Sequence, residues 1–140
     1  MRPVTKISIV GIRLAILVLA VYWIGIFTGT HLPKFADFSP DVNDKVKHFS
    51  AFFGLATLLC YVTTSPKLWK RFSIIAVVCM SYAAIDEITQ GLVPGRVPDF
   101  RDFCADTLGI LTAISLYATA RWIAKTMAVT RPEMGSQNAA

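Results

Sequence analysis

Charge is what this sequence has least of. Only 16% of its 140 residues are Asp, Glu, Lys or Arg, against 54% that are hydrophobic. A soluble domain this small needs far more polar surface to cover its core, so the composition excludes an ordinary water-soluble globule. The excess apolar surface calls for lipid as its solvent. Cysteine is scarce as well. Cys60, Cys79 and Cys104 form no CxxC and no other metal-ligating spacing, which leaves them as small packing residues in or beside apolar runs. Acidic residues number nine against fourteen basic ones, a net charge of +5. The basic residues are scattered through short segments, with no basic patch interleaved with aromatics, and this argues against nucleic acid as a partner.

What the chain does have is four apolar runs separated by short polar connections. The first run covers 7–28, behind Arg2 and Lys6, with Arg13 as its one charged interruption. It is long for a signal peptide and three more runs follow it, so we read it as a span that stays, although Thr28-Gly29-Thr30 resembles a cleavage site. After a linker holding Pro33 and Pro40, with Ser39 or Asp41 as a helix cap, the second span covers 46–64. Ser65 to Arg71 is a basic loop carrying Trp69. The third span is 72–90 and the fourth 103–123, joined by a connection in which Pro94-Gly95 reads as a turn and Asp99 as a helix cap. The expectation is an all-α polytopic membrane protein, a bundle of four transmembrane helices forming a single domain over 1–140, with a disordered tail at 131–140. Tyr22, Trp23, Trp69 and Trp122 read as membrane-interface anchors.

Counting basic residues in the short loops puts the N- and C-termini in the cytoplasm. Asp37, Asp41, Asp44, Asp86, Glu87, Asp99, Asp102 and Asp106 then all fall on the outer side, with Glu133 inside. Two separate loops therefore bring polar groups to one outer face. Charge between apolar runs is expensive and marks a site.

The stretch from Asp86 to Gly109 carries most of that charge. On a helix Asp86 shares a face with Gln90, and Glu87 is within reach of Gln90. Asp99, Asp102 and Asp106 follow at spacings of three and four, and the small series Ala105, Gly109, Ala113 allows close helix approach. Asp106 lies about 10 Å along the helix from Asp99, deep enough to need a partner. Arg96, Arg101, Lys45 and His48 are the candidates, and His48 supplies a proton near neutral pH. Three roles remain open at this point. The cluster is an internal ion-pair network, or a site for a polar headgroup or phosphate-bearing lipid, or a catalytic site with Asp86 or Glu87 as general base and His48 as acid or base. In the second role Arg96, Lys45 and His48 contact the anion, and the carboxylates take amines, hydroxyls or a divalent cation. Phe49, Phe52 and Phe53 read first as packing residues. No cofactor is implied.

Asp44-Lys45-x-x-His48-Phe49, then Asp86-Glu87-x-x-Gln90, then Pro94-Gly95-Arg96-x-x-Asp99-x-x-Asp102, with Gly109 following, resembles the VanZ-like membrane family. The match runs from about Asp44 to Arg121. It implies a small bacterial inner-membrane protein of the cell envelope, whose namesake is associated with resistance to the glycopeptide antibiotic teicoplanin without being one of the precursor-remodelling enzymes. Carried over by motif, the site residues are Lys45, His48, Asp86, Glu87, Gln90, Arg96, Asp99, Asp102 and Gly109. Asp106 departs from the pattern, which favours Asn there. The expected function is binding, or altering access to, a lipid-linked envelope component at the outer leaflet. The alternatives are a membrane enzyme acting on a glycolipid or phospholipid headgroup, and a structural partner of another membrane protein.

Overall fold

The computed structural model describes residues 8–9, 12–33 and 41–129. Asp37, Ser39 and the tail at 131–140 lie outside the described residues. A short extended pair, β1 (Ser8–Ile9) against β2 (Ile12–Arg13), runs antiparallel with Ser8 opposite Arg13. Four helices follow: α1 (Leu14–Thr30), α2 (Asp44–Val62), α3 (Leu68–Gln90) and α4 (Phe100–Val129).

The all-helical expectation holds, and four spans do not all follow from it. Among the described residues two helices, α3 and α4, are long and apolar enough to cross a membrane. At 1.5 Å per residue they rise roughly 35 and 45 Å against a hydrocarbon core of roughly 30 Å. The first helix begins at Leu14 rather than at residue 7 because the preceding residues pair as β1 and β2, and its 17 residues rise roughly 25 Å. In α2 the first turn is spent on Asp44, Lys45, Lys47 and His48, which leaves a short uncharged stretch. The fourth helix outruns its expected end at 123 by six residues. Asn43, not Ser39 or Asp41, caps α2, accepting the Lys45 N–H on its side chain at 2.9 Å.

Among the helices, α2 with α4 is the most intimate pair. Gly109 is the reason. A Cβ built there would run into the main-chain carbonyl of Phe49, so only glycine lets the two backbones come this close. Ala105 and Ala113 are buried on the same stripe, and Phe52, Leu55, Ala56, Cys60, Ile75, Cys79, Ala83 and Ile110 fill the core. Phe52 is a packing residue, while Phe49 and Phe53 stack on each other. Cys60 and Cys79 are buried thiols, as their positions in apolar runs led one to expect.

Outside this core the helices stay apolar. Val21, Ile24, Ile74, Val77, Ile85, Ile88, Leu108 and Leu116 all point outward, which leaves the helix exteriors apolar. Trp69 and Trp122 are exposed. Tyr22 and Trp23 differ: Tyr22 donates its hydroxyl to the Ala51 carbonyl at 3.1 Å, and Trp23 packs edge-on against Tyr82 at 5.1 Å. The Tyr22 hydroxyl and the Trp23 ring thus find partners inside the bundle, which outweighs an interface position.

Between the two ends of the bundle, residues 14–30 of α1, 49–62 of α2, 72–85 of α3 and 107–120 of α4 contain no Asp, Glu, Lys, Arg or His. At one end of that slab Arg71 is buried. Its guanidinium donates to the Cys60 carbonyl, to Thr63 Oγ1 at 3.1 Å and to the Tyr117 hydroxyl at 3.3 Å, and lies 5.3 Å from the Tyr117 ring centroid. Arg71, expected at the end of a basic loop, instead lies in α3 and satisfies a last-turn carbonyl of α2.

Candidate functional site

The other end of the slab gathers the polar termini of all four helices. The connection from α3 to α4 shows how the sequence achieves this. The Arg96 N–H returns to the Val93 carbonyl at 3.1 Å, with Pro94 and Gly95 between them and Gly95 at φ +80°. This is a type II turn, with Pro and Gly each where the turn needs it. Asp99 then caps α4, accepting the Arg101 N–H on Oδ1 at 2.9 Å, as its place after Pro98 predicts. The Glu87 side chain accepts the Asp99 N–H, stitching the last turn of α3 to the first of α4.

Lys45 on α2 reaches across to α4 and ion-pairs with Asp102 at 2.9 Å and Asp99 at 3.1 Å. Asp99 lies at the surface of the connection. The Arg101 N–H and then the Lys45 ammonium hold its carboxyl below the usual carboxylate range. One turn deeper, His48 Nδ1 meets Asp106 Oδ1 at 3.0 Å, with the two side chains 3% and 0% exposed. His48 is thus the partner that a buried Asp106 required. With Asp106 as a carboxylate, which only accepts, the ring proton sits on Nδ1.

Asp86 is fully enclosed and serves a different set. Gln90 Nε2 donates to its Oδ2 at 2.9 Å and the Thr30 hydroxyl to its Oδ1 at 2.9 Å, with His31 Nδ1 3.7 Å away. Gln90 therefore bonds to Asp86, four residues back, and not to Glu87. The second ring nitrogen of His31 meets Thr89 Oγ1 at 2.9 Å. Arg96 bonds to neither Asp99 nor Asp106. Its Nε donates to the Leu32 carbonyl at 3.2 Å, and its Nη1 lies 3.6 Å from Asp44 Oδ2. The Arg101 residue is exposed. Glu87 Oε2 and Asp106 Oδ2 are buried with no hydrogen-bond partner among the described residues.

The expected polar site residues Lys45, His48, Asp86, Glu87, Gln90, Arg96, Asp99, Asp102 and Asp106 thus stand at one end of the bundle, in two linked groups, while Gly109 sets the α2–α4 approach beside them. One joins α2 to α4 through Lys45, His48, Asp99, Asp102 and Asp106; the other joins α1 to α3 through Asp86 and Gln90, with Glu87 and Arg96 between them. Thr30, His31, Asp44 and the Leu32 carbonyl complete the site and were not foreseen in it. Asp44 stands in the first motif and was readable; Thr30 and His31 end an apolar run and carry no periodic signal of their own.

Among the described residues two cavities open on this end. One of about 540 Å³ lies between α1 and α2, with Val21, Gly25, Ile26 and Ala51 as apolar walls and Asp44, Lys47, His48 and Arg96 as a polar end. The second, about 460 Å³, is polar and is lined by Lys45, Gln90, Asp99 and Asp102. Asp44 and Arg96 border both.

Among curated proteins and among solved structures no match was found. The VanZ/LLP1 family profile matches residues 8–123, a range that contains every residue of the site and the connections that assemble it. The spaced motifs, the helices that carry them and that match agree, and the chain belongs to the VanZ/LLP1 family.

Proposed function

We propose that this VanZ-like protein crosses the bacterial cytoplasmic membrane four times, with both termini in the cytoplasm, and binds, or controls access to, a lipid-linked envelope component at the outer leaflet. The observation that carries the reading is the cavity between α1 and α2, apolar along its length and polar at one end. That is the shape of a lipid: a hydrocarbon chain against Val21, Gly25 and Ile26, and a phosphate-bearing headgroup against Lys47 and Arg96. The short α1 and α2 reach across by local thinning of the bilayer and by interfacial placement of the polar first turn of α2. A change in susceptibility to teicoplanin is the phenotype this reading implies in the cell.

The test is lipid retention. Full-length protein extracted into nanodiscs containing a polyprenyl phosphate should carry that lipid through native mass spectrometry. Arg96→Ala and Gly25→Leu should carry it at least about tenfold less, since each removes one end of the fit. Equal retention by folded variants sinks the reading. A second reading, an enzyme acting on the headgroup, draws on His48, which Asp106 orients beside the same cavity. It requires turnover of labelled lipid by the purified protein, and an unchanged lipid pool eliminates it.

A further inference from the structure

The ligand atoms offered by Asp44, His48 and Asp102 lie within 4.8 Å of one another, on the first two turns of α2 and the first turn of α4. We propose that these three residues bind a divalent transition-metal ion of the zinc type.

Asp106 supplies the independent observation. It takes His48 Nδ1 at 3.0 Å, and among the described residues the other ring nitrogen, Nε2, has no hydrogen-bond partner although the side chain is 3% exposed. A carboxylate behind one nitrogen of a buried imidazole, with the other left for the site, is the arrangement that orients histidine ligands and raises their basicity. Asp106 Oδ2 is itself buried with no hydrogen-bond partner among the described residues.

Charge points the same way. Asp44, Asp86, Glu87, Asp99, Asp102 and Asp106 outnumber Lys45, Lys47, Arg96 and Arg101 at this end of the bundle. The cations on the ligands leave room for an ion. Lys45 engages Oδ1 of Asp102, leaving its second oxygen, and Arg96 stands 3.6 Å from Asp44, beyond hydrogen-bond distance. One imidazole and two carboxylates suit zinc, at ligand distances of about 2.0–2.2 Å. Tetrahedral ligand atoms then lie on the order of 3.4 Å apart, so side-chain shifts of about an ångström close the site. Three protein ligands leave a coordination position open, and Asp44 borders both cavities.

The experiment needs no lipid, so its outcome is independent of the proposed function. Full-length protein with any affinity tag removed is stripped with chelator, titrated with Zn²⁺ by calorimetry, and examined by X-ray absorption at the zinc edge. One Zn²⁺ per chain is expected, with a single imidazole, oxygen ligands and no sulfur. His48→Gln and Asp102→Asn should each weaken binding at least about tenfold, and Asp106→Asn by about 10–100-fold. A variant lacking all three cysteines should bind as the parent does. Absence of stoichiometric zinc in folded parent protein overturns the proposal, as does a sulfur ligand or a second imidazole. The absorption spectrum of the parent decides the matter even if a variant fails to fold.

Discussion

The His48 imidazole and the Asp106 carboxyl meet at 3.0 Å across the α2–α4 interface, 58 residues apart in sequence, with neither side chain more than 3% exposed. Breaking a buried pair by removing one partner costs about 3–5 kcal/mol, because the other is left uncompensated. Asp106→Leu should therefore lower unfolding stability in mixed micelles by that amount. Asp106→Asn keeps an acceptor facing Nδ1 and should cost under about 1.5 kcal/mol. Equal losses from the two substitutions would contradict the pairing.

Gly109 sets the distance between the same two helices. Its would-be Cβ meets main chain, which cannot swing aside, so Gly109→Ala should destabilise by about 1–3 kcal/mol. Gly25, also helical, has nothing within 4 Å of a built Cβ. Gly25→Ala should be neutral or stabilising by up to about 1 kcal/mol, through helix propensity alone. The contrast between the two alanines, read from paired melts, is the check.

Arg71→Ala leaves the Cys60 carbonyl without its donor and should cost about 2–3 kcal/mol. Lysine should not restore it, since one ammonium cannot serve Cys60, Thr63 and the Tyr117 ring at once. Recovery of parental stability by Arg71→Lys would show that charge alone matters there.

Asp99 gives the pH dependence. Its carboxyl lies below the ordinary range in the folded protein, held first by the Arg101 N–H and then by Lys45. A depressed folded value means a contribution present above the unfolded value near 4 and lost as pH falls through the folded one. Parental stability should decline below about pH 4 more steeply than that of Asp99→Asn. Parallel acid limbs in the two unfolding profiles would remove Asp99 from the account.

Sidedness can be read by labelling. In a background without Cys60, Cys79 and Cys104, Val97→Cys should react with an impermeant thiol reagent on intact cells and Lys67→Cys only after permeabilisation. Reaction of Lys67→Cys from outside reverses the proposed orientation.

The sequence reveals the site better than it reveals the helices around it. Lys45, His48, Asp99, Asp102 and Asp106 are readable because charge beside apolar runs is costly and because spacings of three and four place them on one helix face. Pro94-Gly95 is readable because its turn type demands those two residues. Helix ends are less so: the apolar run from residue 7 resumes after Arg13, and a single charge does not by itself mark Leu14 as the start of α1. Arg71 is invisible as a buried group because its partners are a carbonyl, a hydroxyl and a ring, none of which stands out in sequence. Thr30 escapes for a related reason. A hydroxyl at the end of an apolar run becomes significant only when α3 brings Asp86 to it.

The uncharged slab between Arg71 and the Asp106 level has a consequence for traffic. Proton and ion pathways through membranes are stepped by charged side chains spaced along the route, and residues 14–30, 49–62, 72–85 and 107–120 hold no Asp, Glu, Lys, Arg or His. On the proposed reading, a ligand at the polar end enters and leaves through the cavities that open there.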